Sequence, residues 1–256
     1  MHALLAHFYH LALHAYAFAM HPMWRAPVAA LAAGLLLRLA GARAAPFAAA
    51  LTVMAGWLAV QYPGFSVLPA LPVDRLPGLA LLLLAYGWLG RRTGRGARWL
   101  GPPLFSAVCA WWMAGAPFSG EAVAGCVPVF LGVWAALALG GRLAAKDTGW
   151  AGIAAALALG GAILLAGGSP HWARAAIVPA CAGVALIGVE GAAPVLAMAT
   201  MLLGCLAVLA SDRGRFVPMD LAVLAPLVMW SLFFFEKKNQ KTFGLKARTR
   251  RSASPK

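Results

Sequence analysis

Apolar runs of membrane-spanning length recur along this 256-residue chain as far as residue 235, and no other feature limits its fold so strongly. A run of ~18 apolar residues is long enough to cross the hydrocarbon of a bilayer as a helix. Apolar residues fill 62% of the chain, Asp, Glu, Lys and Arg only 11%, and there are seven acids in all. A water-soluble domain carries about 25% charged residues, because its surface must be hydrated. Lipid removes that requirement by solvating apolar side chains around each helix. The ~10-residue alternating segments of a membrane barrel are absent. The expected fold is all-α: a polytopic bundle of about ten transmembrane helices over residues 1–235, followed by a basic, disordered cytoplasmic tail over residues 236–256.

The first expected span runs from Ala3 to Met20 and stops at His21-Pro22. No cationic segment precedes it, so a removable signal peptide is not expected. The second covers Ala26 to Gly41 and contains Arg38; the third covers Ala44 to Tyr62. Prolines with Asp74 and Arg75 make Ser66 to Pro77 a loop. The fourth span is Gly78 to Gly90, and Arg91 to Arg98 form a basic loop. The fifth is Trp99 to Pro117 and the sixth Ala122 to Gly140, with a turn at Ser119-Gly120-Glu121 between them. Arg142 and Lys146 mark another basic loop. The seventh, Gly149 to Gly167, leads through a loop from Ser169 to Arg174 into the eighth, Ala175 to Val189. The ninth, Ala192 to Ala210, follows Glu190-Gly191, and the tenth covers Phe216 to Phe235.

The net charge of +14 belongs to loops and tail, where basic residues report orientation. With both termini cytoplasmic, sixteen of the Lys and Arg residues fall inside and five outside. Without the tail the bias narrows to eight against five. No segment supplies a folded basic face with groove-reading residues, so nucleic acid is not an expected partner. The lipid bilayer is, with other membrane proteins as a second class. Trp24 and Trp172 on one side, and Trp88, Trp99 and Trp150 on the other, suit interfacial belts. Gly152, Ala156 and Gly160, four apart, form a small-residue ridge for close helix packing. Cys109, Cys126, Cys181 and Cys205 lie in apolar runs without a CxxC pair and read as small hydrophobes.

Few polar groups remain to carry chemistry. His7, His10, His14 and His21 fall within about 60° of arc on one helix. Imidazoles ligate metals and haem and relay protons near neutral pH. A straight stripe nevertheless spreads its members over about 20 Å, and no other span holds a histidine. Packing or interfacial placement is therefore the plainer reading, and an amphipathic helix lying flat in the interface would leave nine spans. Asp220 sits four residues into the tenth span between Pro218 and Pro226. A charge at mid-membrane costs about 2.5–3.5 kcal/mol on insertion scales, which invites either an ion-site role or an interfacial pairing with Arg213. Glu190 is a turn residue if spans eight and nine separate there, and a buried functional group if they continue. Arg38 snorkels toward the cytoplasmic surface. Ser106 has neither acid nor histidine nearby in sequence.

No phosphate loop, HExxH pair, nucleophile elbow or kinase set occurs. The expected function is a transporter or permease for a small, weakly polar solute, with His7, His10, His14, Asp220 and Glu190 as pathway residues. One alternative is a non-catalytic accessory or assembly subunit of a membrane complex. Another is a membrane-embedded enzyme or haem/metal protein using the histidine stripe, and an enzyme is the less favoured class. No cofactor is assigned. Ala, Gly, Leu and Arg richness points to a GC-rich bacterium and its inner membrane.

Overall fold

Alanine and leucine lose little side-chain freedom in a helix, and apolar surroundings favour the one structure that satisfies its own backbone. The computed structural model of the chain describes residues 21–40, 45–62, 71–92, 97–144, 150–165, 169–189 and 191–210. Among these the regular structure is all helical, with no strand. In chain order the helices are α1 (Arg25–Leu39), α2 (Ala45–Gln61), a 3-10 turn (Pro72–Arg75), α3 (Leu76–Arg92), α4 (Ala97–Met113), α5 (Gly120–Ala124), α6 (Val127–Ala144), α7 (Trp150–Leu165), α8 (Pro170–Ala185) and α9 (Ala192–Ala210). The first and tenth spans expected from sequence, and the tail, lie outside the described residues.

Four segments expected to be loops are helical in part among the described residues. Pro72 begins the 3-10 turn and Pro77 is the second residue of α3. Proline suits the first turn because the N–H it lacks has no intrahelical acceptor there. The same rule corrects the Ser169 to Arg174 segment: Ser169 is the N-cap of α8 and Pro170 its first residue. Arg91, Arg92, Arg98 and Arg142 belong to helix ends rather than loops. The sixth span is interrupted where it was expected to be continuous. Ser119 Oγ accepts from Ala122 N at 3.4 Å and starts the short α5. Gly125 and Cys126 form a turn before Pro128 restarts the helix in the first turn of α6.

The helices run up and down between two ends. At the first end meet the start of α1, the end of α2, the 3-10 turn, the end of α4, the start of α5 and the start of α8. Hydrogen bonds from Arg25 to Tyr62, Gln61 to Val73, Trp112 to Arg75 and Arg174 to Pro22 join them. The second end joins the end of α1 to the end of α8 through Arg38 and Ala185. Helix α9 is central, packing on α2, α3, α4, α6, α7 and α8. The ridge on α7 behaves as expected: Gly152, Ala156 and Gly160 are buried, and a Cβ on Gly160 would lie 3.5 Å from Ala176 Cβ on α8.

Close approach is most pronounced where α2 crosses α8. A side chain on Gly56 would come within 2.4 Å of Val178 Cγ1, so only glycine admits this spacing. It brings the fully buried Trp57 against α8, where its Nε1–H donates to Ala175 O at 3.1 Å. Pro179 is four residues after Ala175 and has no N–H to give that carbonyl. The indole supplies the hydrogen bond the proline removed.

Two described stretches are long and apolar enough to cross a membrane: Gly120–Gly140 and Ala192–Ala210. Phe47–Gln61 and Trp150–Leu165 are apolar but shorter. The expectation of ten full-length spans is thus met only in the coarser form of an all-helical protein. A 15-residue helix such as α1 covers about 22 Å, short of a ~30 Å hydrocarbon core.

Replacing Trp57 by Phe keeps the ring but leaves the Ala175 carbonyl without a donor in the core. The expected loss is about 1–3 kcal/mol of stability. In a Pro179→Ala background, where the helix supplies its own N–H, the same replacement should cost much less. Denaturant unfolding of the four proteins in this double-mutant cycle gives the coupling, and equal losses in both backgrounds would refute the pairing.

Candidate functional site

The pathway residues expected from sequence, His7, His10, His14, Asp220 and Glu190, all lie outside the described residues. Of the stripe, His21 is described: it is exposed, and its Nδ1 accepts from Met23 N at 3.3 Å. Helix α8 ends at Ala185 and α9 begins at Ala192, with Gly188 and Gly191 at positive φ between them. The described residues on either side of position 190 thus belong to two separate helices. His171 is in the first turn of α8, where its Nδ1 lies 3.4 Å from Arg174 Nη2. Glu121 is exposed in the first turn of α5.

The described interior offers little for chemistry. Its buried polar side chains are Thr52, Ser106 and Thr200. Each hydroxyl donates to the carbonyl four residues earlier, at 2.6, 2.9 and 2.8 Å respectively. No described cluster of three His, Cys, Asp or Glu side chains could hold a metal ion. The four cysteines are free thiols, with Cys109 and Cys126 buried. Of the tryptophans in these helices, Trp57 is committed to Ala175. Trp111 Nε1 donates to Pro117 O at 2.9 Å, and Trp134 is exposed and stacks on Phe130.

The polar groups gather instead at the ends of helices. The last carbonyls of a helix have no intrahelical donor, and water is scarce in an apolar setting. At α4 the accounting closes. Ala114 N serves the Ala110 carbonyl, Ala116 N serves Trp111 and Gly115 N serves Trp112. This is a Schellman end, and its left-handed residue is Gly115 at φ 97°. The next carbonyl, Met113 O, accepts from Arg75 Nη1 of the 3-10 turn. In return Trp112 Nε1 donates to Arg75 O at 2.9 Å. Gly78 makes room for that indole, since a Cβ there would meet Trp112 at 2.5 Å.

Two other arginines do the same work. Arg38 Nη1 donates to Ala185 O, the last carbonyl of α8, at 3.3 Å. Arg38 follows Ala26, Ala30 and Gly34 at intervals of four, so the small ridge that lets α1 approach α8 also delivers its cap. A Cβ on Gly34 would sit 2.5 Å from Ala185 Cβ. Arg25 Nη1 donates to Tyr62 O, just beyond α2, at 3.0 Å, and the guanidinium lies 4.9 Å from the Tyr62 ring centroid.

The candidate site is the rim around Arg75. Gln61 Nε2 donates to Val73 O at 3.1 Å. Two buried polar atoms there have no partner, Gln61 Oε1 and Arg75 Nε. Burial pushes the Arg75 pKa below its ordinary value, because desolvation penalises the charged form. Sequence reasoning counted Arg75 only as a loop charge and passed over Gln61. The usable signal was that Gln61 is the one glutamine before the tail, placed at the end of an apolar run.

No protein-family model matches the chain, and neither curated proteins nor solved structures show significant similarity to it.

Removing the Arg75 cap with Arg75→Ala leaves the Met113 carbonyl without a donor and should cost about 1–3 kcal/mol. Arg38→Ala should cost less, about 0.5–1 kcal/mol, because the Arg38 residue is exposed and water can replace its bond. Thermal unfolding in detergent ranks the two, and the reverse order would contradict the capping account.

Proposed function

We propose that this chain is a multi-pass protein of the bacterial inner membrane that acts as a permease-like carrier for a small, weakly polar solute. Two observations support the membrane setting. Only 22% of Gly120–Gly140 is buried within the protein, against 67% of Ala192–Ala210. The central helix would suit a soluble core equally well; the largely unburied one suits lipid better. Its outward side chains include Val127 at 54% and Leu131 at 52% exposure, which water would penalise and lipid would not. Charge supports the orientation. Arg38, Arg91, Arg92, Arg98 and Arg142 belong to the second end by their place in the chain. The first end holds Arg25, Arg75 and Arg174 together with Asp74 and Glu121. The more basic end is the cytoplasmic one by the positive-inside rule, which suits two cytoplasmic termini.

The permease reading is carried by the character of the described interior. Its buried polar residues are three hydroxyl side chains, and the arginines sit at helix ends, so a solute passing among these helices would meet little fixed charge. A strongly charged substrate would pay its full desolvation there. The break at Gly125-Cys126 and the backbone hydrogen bond missing at Pro179 belong to helices that pack on the central one, and broken helices of this kind surround carrier sites. A second reading, an accessory subunit of a membrane complex, is favoured by the outward apolar face of α6, which a partner helix could cover.

Purified protein in proteoliposomes should accelerate the flux of small neutral or weakly polar solutes over empty vesicles and leave the flux of multivalent ions unchanged. A folded protein without flux for any such solute, isolated together with a fixed membrane partner, would overturn the carrier reading in favour of the accessory one.

A further inference from the structure

Arg174, in the first turns of α8, carries its charge with no carboxylate among its described partners. Its Nε donates to Pro170 O at 3.3 Å and its Nη1 to Pro22 O at 2.9 Å, while its Nη2 lies 3.4 Å from His171 Nδ1. Neither α1 nor α8 has an acid in its first turn. A guanidinium has five N–H groups and no acceptor, so with three engaged, two are left for a further acceptor.

The histidines beside it are donors as well. Arginine only donates, so the ring nitrogen that faces it is the bare one, which assigns the His171 proton to Nε2. His21 adjoins Pro22, and its Nδ1 accepts from Met23 N at 3.3 Å, which assigns its proton to Nε2 in the same way. Both imidazoles are exposed. The bond from Arg174 to Pro22 O ties these groups into one rim where α1 and α8 begin. Apolar surface adjoins it, with Met23 57% and Trp24 39% exposed.

We propose that this rim is a docking surface for the headgroup of an anionic phospholipid. The phosphodiester accepts from the unused N–H groups of Arg174 and neutralises the guanidinium, a charge-assisted pairing stronger than one between neutral groups. His21 and His171 donate to other headgroup or ester oxygens. Met23 and Trp24 lie against the glycerol and the first acyl carbons, which favours a lipid over free phosphate. A zwitterionic lipid would bring a second cation to a surface that already holds one. The inference rests on the membrane setting proposed above and is independent of solute carriage; a chain recovered from the membrane fraction without this lipid preference refutes the inference alone.

Full-length protein in a neutral detergent at constant ionic strength is titrated with short-chain phosphatidylglycerol, phosphatidylcholine of equal chain length, and glycerol phosphate. Melting temperature is followed. A saturable rise with phosphatidylglycerol is expected, with the other two at least roughly tenfold weaker. Arg174→Gln should weaken the phosphatidylglycerol response roughly tenfold. Arg38→Gln removes an exposed arginine at the opposite end and should leave that response within about twofold. Circular dichroism checks both folds. If Arg174→Gln does not fold, the double variant His21→Ala, His171→Ala keeps the arginine and decides the matter, with an expected weakening of about threefold. Equal responses to the two lipids, a response to glycerol phosphate as strong as that to phosphatidylglycerol, or equal losses in Arg174→Gln and Arg38→Gln would each overturn the proposal, as would an unaltered response in the histidine double variant.

Discussion

A carbonyl deprived of its helical donor has nowhere to turn in a core of alanine and leucine, and much of the described structure follows from that constraint. Pro179 creates such a carbonyl in mid-helix at Ala175, and Trp57 reaches across from α2 to serve it. Helix ends create more of them, and Arg25, Arg38 and Arg75 serve three. In each case the donor comes from another element, so satisfying one helix's backbone fixes its position against a neighbour. A net hydrogen bond is worth only about 1 kcal/mol, while an unmet buried group costs about 1–3 kcal/mol. The penalty for failure, more than the gain from success, selects this arrangement.

Such bonds require short distances between helices, and small residues provide them. Gly56 sets the separation at which the Trp57 indole reaches Ala175, and Gly34 does the same for Arg38 and Ala185. Gly78 admits Trp112 beside Arg75. Packing and polar satisfaction therefore draw on the same residues. Glycine in these helices lowers intrinsic helix propensity by about 1 kcal/mol each, a cost that tertiary contact offsets. Because α9 touches six other helices, displacement of any one interface would be felt through the centre.

Helices free of punctuation were the most legible in sequence. Ala192–Ala210 was expected with those same bounds, because nothing within it competes with a helix and Pro194 falls in its first turn. Where proline occurs, the reading failed in both directions. Pro72, Pro77 and Pro170 suggested loops yet stand at helix starts, where their missing N–H has no role. Pro128 was absorbed into a continuous span, although it marks the interruption between α5 and α6. Proline has two opposite meanings separated by only a few residues of position, and apolar periodicity does not resolve them. The rim around Gln61 and Arg75 was illegible for another reason. It joins α2 to a turn beyond the next connection and to the far end of α4, and each residue alone resembles an ordinary interfacial group.

The amino-acid sequence by itself determined the class: an all-helical chain rich in apolar residues, with charge concentrated at helix ends. Composition and run length suffice for that, because solvation free energy adds along the chain without reference to neighbours. Tertiary structure alone decided which arginine caps which helix, that Trp57 repairs the gap left by Pro179, and that an unpaired donor and acceptor remain beside Arg75. Hydrogen bonds are directional and short-ranged, so their partners are chosen by three-dimensional approach, which linear order does not encode.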